Sequence, residues 1–154
     1  MDNPIAGIKI RKNYSDLEKE EYLQKCFDSI NQYFKQIVAE LEMSDSDIKS
    51  NIEESGKNRF TCQVFVRGEK RAECQIWIGN EMSKGICYYE GITNQYNSYN
   101  EILSVQSDGF KLFLSSFGMG FNGIGPMTLT IDNVAKLLWD KFAKTLDNMG
   151  ASPF

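Results

Sequence analysis

A chain of 154 residues with 42% hydrophobic and 12% aromatic content is long enough for one buried core and too apolar for disorder. Its formal charge of −4 and pI near 4.9 argue against broad electrostatic binding to nucleic acid or anionic lipid. Histidine is absent, which removes Ser-His-Asp and Cys-His catalysis and His-bearing zinc sites together.

No apolar run approaches the roughly 20 residues of a membrane-spanning helix. The start, Met1-Asp2-Asn3-Pro4, lacks a basic stretch followed by an apolar one, so no export signal is expected and a cytoplasmic location follows by default. The cysteines at 26, 62, 74 and 87 have no C-x-x-C spacing and read as buried, reduced thiols.

Along the chain, Ile8-Lys9-Ile10-Arg11-Lys12 alternates apolar and basic residues, as a short edge strand does. Ser15-Asp16-Leu17-Glu18 is a capping box opening a long helix. Leu23, Phe27, Ile30, Phe34, Ile37 and Leu41 then recur at alternating spacings of four and three, one apolar face flanked by Cys26, Tyr33 and Val38. Residues 44–57 are polar, with Ile48 and Ile52 one helical turn apart, and read as a short helix or an ordered connection.

Two strands follow. Phe60, Cys62, Val64 and Val66 alternate with more polar neighbours, as do Ala72, Cys74, Ile76 and Ile78. A three-residue loop around Gly68-Glu69 would set Cys62 opposite Cys74. Further strands are expected over 85–90 and 101–106. Asp108-Gly109 is a two-residue hairpin signal that would pair Val105 with Leu112 and Leu103 with Leu114. Thr130 is the expected N-cap of a last helix with Val134, Leu138, Phe142 and Leu146 on its buried face. Residues 150–154 read as a frayed tail.

Strands in a run, bounded by helices, mean an α+β fold. The expectation is a single domain over 1–154, with an antiparallel sheet of about five to six strands. A long N-terminal helix and a C-terminal helix pack on one face.

Two segments have compositions suited to contact. Residues 117–127 begin with Gly118-x-Gly120-x-x-Gly123, the spacing of a dinucleotide fingerprint. That fingerprint needs a strand–turn–helix in a βαβ unit, whereas this run follows an antiparallel hairpin and carries Phe117, Met119 and Phe121. An apolar loop, packed or exposed for contact, is the better reading. Residues 88–101 combine Tyr88, Tyr96 and Tyr99 with Asn97 and Asn100, the mixture of rings and amides found on adaptable recognition surfaces. The plainer reading of both is packing against the domain.

Arg67, Lys70 and Arg71 make the first hairpin basic, and an ordinary solvated tip accounts for them better than a phosphate site. Glu90 and Glu101 flank the tyrosine segment and could approach across strands, the minimum for acid–base work. No catalytic set, cofactor or metal site is expected; Asp45 and Asp47 lack the rest of a calcium loop.

The string Ile8-Lys9-Ile10-Arg11-Lys12-x-Tyr14-Ser15, with Asn97-Ser98-Tyr99-Asn100-Glu101-x-Leu103-Ser104-Val105-x-x-Asp108-Gly109, resembles an uncharacterised bacterial α+β module. That module is associated with multidomain proteins carrying Toll-interleukin-receptor-type or similar defence effectors. The resemblance implies a sensing or regulatory part and carries over no catalytic residue.

The leading expectation is a non-enzymatic cytoplasmic domain that binds a protein or small ligand through Tyr88, Tyr96, Asn97, Tyr99, Asn100, Phe117, Met119 and Phe121, without nucleic acid or membrane. The alternatives are an acidic immunity protein for a basic toxin and a carrier of a small apolar ligand beneath the last helix. An enzyme using carboxylates or cysteine is the remaining one.

Overall fold

The computed structural model describes residues 10–79, 84–91, 100–116 and 128–148. Helix α1, Asp16–Ser44, opens on the capping box. Ser15 Oγ accepts from the Glu18 amide at 3.1 Å, and Glu18 Oε1 accepts from the Ser15 amide at 3.0 Å. Two otherwise orphaned donors are thereby satisfied. Among residues 10–12 there is no strand; instead the Lys12 amide donates to the Gly109 carbonyl at 2.7 Å, tying this segment to a distant turn.

Seven strands follow as an all-antiparallel meander in sequence order: β1 (Ile48–Glu54), β2 (Arg59–Val66), β3 (Glu69–Ile78), β4 (Ile86–Glu90), β5 (Glu101–Ser107), β6 (Leu112–Ser116) and β7 (Thr128–Leu129). Helix α2, Val134–Asn148, closes the fold. The class is α+β, with one strand more than the upper expectation. The segment expected as a short helix or connection is β1, paired along its length with β2. A spacing of four puts Ile48 and Ile52 on one side of a strand as well as one side of a helix, so the apolar pattern alone does not separate the two. Glu42 accepts from the Ser50 amide at 2.6 Å and from its hydroxyl, satisfying donors on this edge strand.

Cys62 does face Cys74, by a different route from the one expected. The turn has two residues, Arg67 and Gly68, both with positive φ (50° and 83°), as a twisted hairpin requires. That turn alone would put Cys62 opposite Glu73. A bulge at Arg71, between the Phe65–Lys70 and Val64–Ala72 pairs, shifts the register by one and restores the apolar face. Farther on, Val105 pairs with Leu114 and Leu103 with Ser116. This register is displaced by two from the expected one, because Asp108 Oδ1 accepts from the Phe110 and Lys111 amides (2.8 and 2.9 Å) and lengthens the loop. A shift of two leaves the inward face unchanged.

Both helices pack on one face of the sheet, where Leu23, Phe27, Ile30 and Phe34 of α1 meet Val134, Leu138, Phe142 and Leu146 of α2 and the inward strand residues. Phe34 is the hub of this core. Its ring lies 5.6 Å from Phe60, 5.2 Å from Trp139 and 6.1 Å from Phe142, centroid to centroid. Thr130 is not the N-cap expected of it, because α2 starts only at Val134. It opens the turn before the helix, its carbonyl accepting from Asn133 and Val134 (3.1 and 2.9 Å) and its amide donating to Asn133 Oδ1 at 2.7 Å, while the Asn133 carbonyl accepts from Leu137 inside the helix at 3.1 Å.

The Lys12 ammonium, 2.7 Å from Glu18 Oε2, and the Ser15 amide hold the Glu18 carboxyl down at about 2, against 4.5 unperturbed. A depressed carboxyl stabilises the fold above its unfolded value and loses that contribution as pH falls through the folded one. The melting temperature is therefore expected to decline between pH 4.5 and about 2, and more gently in Glu18→Gln. Identical profiles would remove the capping box from the acid response.

Candidate functional site

At one end of the sheet β4 stops, β5 starts, β6 stops and β7 starts, as antiparallel order requires. Segments 92–99 and 117–127 leave the chain at these strand ends. Of the residues singled out for binding, Tyr96, Asn97, Tyr99, Phe117, Met119 and Phe121 lie outside the described residues, and the glycine run lies wholly within 117–127. Tyr88 and Asn100 are described.

Tyr88 is fully buried. Its hydroxyl donates to Glu90 Oε2 at 3.4 Å, and Glu101 is its cross-strand partner. Burial, with Cys74 and the Glu90 carboxylate nearby, holds its phenol far above the usual range. Asn100 is exposed and closes the gap between β4 and β5: its Oδ1 accepts from the Glu90 amide at 2.6 Å, while its own amide donates to the Tyr88 carbonyl at 2.8 Å.

The chemical centre of this end is Glu101, a carboxylate with 0% exposure. Ser116 Oγ donates to its Oε1 at 2.8 Å, joining the start of β5 to the end of β6. Lys141 of α2, itself 16% exposed, brings its Nζ to 3.9 Å from Oε2 and 5.8 Å from the centre of the Tyr88 ring. Buried carboxylates persist only when paired and hydrogen-bonded. Sequence reasoning noted Glu101 but neither Ser116 nor Lys141, since no local pattern links positions so far apart. One usable sign was parity: Glu101 shares the inward side of its strand with Leu103.

Beside this cluster is a cleft of about 310 Å³ lined by Lys70, Arg71, Ala72, Glu73, Glu90, Gly91 and Thr145. The basic hairpin residues are thus not equivalent. Arg67 is exposed and sits 3.9 Å from Asp47. Lys70 pairs with Glu73 at 3.0 Å, and Arg71 is drawn in to 18% exposure.

The four cysteines are buried and free. Burial pushes Cys26 up to about 11 and Cys62 and Cys87 up to about 12, and raises Cys74 strongly. Such thiols are poor nucleophiles at neutral pH. Native protein at pH 8 is expected to react with a thiol reagent only on the unfolding timescale, and denatured protein at once. Rapid labelling of one native thiol would reopen cysteine chemistry. Among the described residues no group of three or more Cys, Asp or Glu could hold a metal ion, and no helix is long and apolar enough to cross a membrane.

Between the helices and the sheet, Phe34, Phe60, Trp139 and Phe142 fill the space beneath α2 with interlocked rings. Among the described residues, clefts open instead near Gly85 and Ser104 and near Arg71 and Glu90.

A protein of Sinorhizobium fredii named uncharacterized protein y4lF is 27% identical over 136 residues. The match takes in 87% of this chain and 42% of the relative, so the chain spans less than half of that protein's length. No solved structure matches the chain significantly. The Y4lF protein domain matches residues 49–144, a stretch that runs from β1 into α2 and contains Glu101, Ser116 and Lys141. With more than half of its length matched, the chain belongs to the Y4lF protein domain family.

Proposed function

We propose that this domain is a non-enzymatic binding or regulatory module of the cytoplasm, recognising a protein or small ligand at the sheet end that carries segments 88–101 and 117–127. The observation that carries the reading is the buried Ser116–Glu101 hydrogen bond, backed by Lys141. It ties together the strand ends from which both segments depart, so contact residues on either would stand on one rigid platform. Free, buried thiols suit a reducing compartment, and their raised pKa values favour binding over nucleophilic chemistry. The regulatory half of the reading rests on the resemblance to a sensing module.

The test is a pull-down with the intact chain and with a Tyr96→Ala/Tyr99→Ala/Phe121→Ala variant, both checked for the same melting temperature. Recovery of a specific partner is expected to fall roughly tenfold or more, since aromatic anchors dominate interfaces. Equal recovery by a folded variant would move the site elsewhere.

A further inference from the structure

The cleft between the start of β3, the end of β4 and the last turn of α2 presents opposite charges that do not neutralise one another. On one side is Arg71, positioned by the bulge in β3. Bulges commonly re-aim side chains at functional sites. Its Nε is buried with no hydrogen-bond partner, and its Nη2 is only loosely held, 3.6 Å from the highly exposed Glu69. A buried donor without an acceptor is uncommon. Lys70 lies beside it, already engaged with Glu73, which also accepts from Gln63.

On the other side is the exposed Glu90, whose carboxylate receives, among the described residues, a single side-chain hydrogen bond, the long 3.4 Å one from Tyr88. Among the described residues Arg71 and Glu90 form no ion pair with each other, although both line the cleft. Thr145, in the last turn of α2, closes it. That turn contains no basic residue, and the partial negative charge of a helix C-terminus favours a cation nearby.

We propose that this cleft binds a small zwitterion of the α-amino-acid class. Its carboxylate accepts from Arg71, whose planar guanidinium suits a two-oxygen acceptor. Its ammonium group lies between Glu90 and the carbonyl end of α2. The volume of about 310 Å³ is at the small end of ligand pockets, on the order of 300–1,000 Å³, which fits one amino acid and not a dinucleotide. A ligand without the carboxylate would leave the buried Arg71 Nε without an acceptor, and one without the ammonium would leave the exposed Glu90 carboxylate without its cation.

The inference rests on the reading that this end of the sheet is the binding end, but it uses no residue of 92–99 or 117–127. Isothermal titration of the full chain with the common L-α-amino acids, one at a time, tests it. At least one is expected to saturate. The corresponding decarboxylated amine and N-acetylated acid should bind roughly tenfold more weakly or less tightly still. Arg71→Gln and Glu90→Gln should each weaken binding by about tenfold or more at an unchanged circular dichroism spectrum. Should Arg71→Gln disturb the fold, Glu90→Gln decides alone, because its side chain keeps the same shape. Saturation by no amino acid, equal binding of either singly charged control, or undiminished binding by the folded variants would overturn the assignment. The Tyr96/Tyr99/Phe121 alanine variant should keep amino-acid binding, which separates failure of this site from failure of the partner reading.

Discussion

Glu101→Ala is expected to lower the free energy of unfolding by about 3–5 kcal/mol, the cost of removing one partner from a buried charge pair. The residue has no exposed surface. Its loss strands the Ser116 hydroxyl and leaves Lys141, only 16% exposed, without its carboxylate. Urea denaturation gives the quantity directly through the shift in midpoint at constant slope. Replacing both charges by apolar groups, Glu101→Leu with Lys141→Met, should cost less than Glu101→Ala alone, because a well-packed apolar pair leaves no orphaned charge behind. A double variant worse than either single change would mean the cluster is held by packing instead. Partner binding should also weaken in Glu101→Ala with Tyr96, Tyr99 and Phe121 intact, since the strand ends beneath both segments lose their tie. A change in stability below about 0.5 kcal/mol, the range of ordinary surface substitutions, would deny Glu101 the structural role given to it here.

Phe34→Ala is expected to cost a similar about 3–5 kcal/mol through a different mechanism. Its ring is fully buried and touches aromatic neighbours from β2 and from α2. Truncation therefore opens a cavity where the two helices and the sheet converge, and the surrounding rings cannot collapse into it without leaving their edge-on contacts. A fall in melting temperature on the order of 10 °C follows for a domain of this size. Leu17→Ala on the same helix is the internal control. Leu17 is 64% exposed, and its truncation should stay within about 0.5 kcal/mol. Comparable losses at the two positions would contradict the placement of the α1 stripe.

The helices were the most legible elements. Ser15 and Glu18 mark the start of α1 by side-chain chemistry that acts locally, and spacings of three and four identify the side on which Phe27, Ile30 and Phe34 are buried. The β2–β3 hairpin was legible for the same reason, since alternation of Phe60, Cys62, Val64 and Val66 needs no distant information. What escaped were features set by pairing. Residues 48–54 became a strand because β2 offered an edge, although their own pattern permits a helix. The β5–β6 register followed from Asp108 holding two amides, which lengthened a turn that the Asp-Gly dipeptide suggested was tighter.

The site divides along the same line. The tyrosines, asparagines and glycines of two segments suggested contact, but most of them lie outside the described residues. The charged end of the sheet was not legible. Glu101, Ser116 and Lys141 become one cluster only when β5, β6 and α2 are stacked, and Arg71 faces a cleft with Glu90 only because a bulge displaces one residue of β3. The sequence by itself determined the α+β class, both helix stripes and the exclusion of histidine chemistry, because composition and periodicity act over a few residues. Strand number, register and the charged end of the sheet were decided by the tertiary structure, because they depend on which backbone edges and which distant charges finally meet.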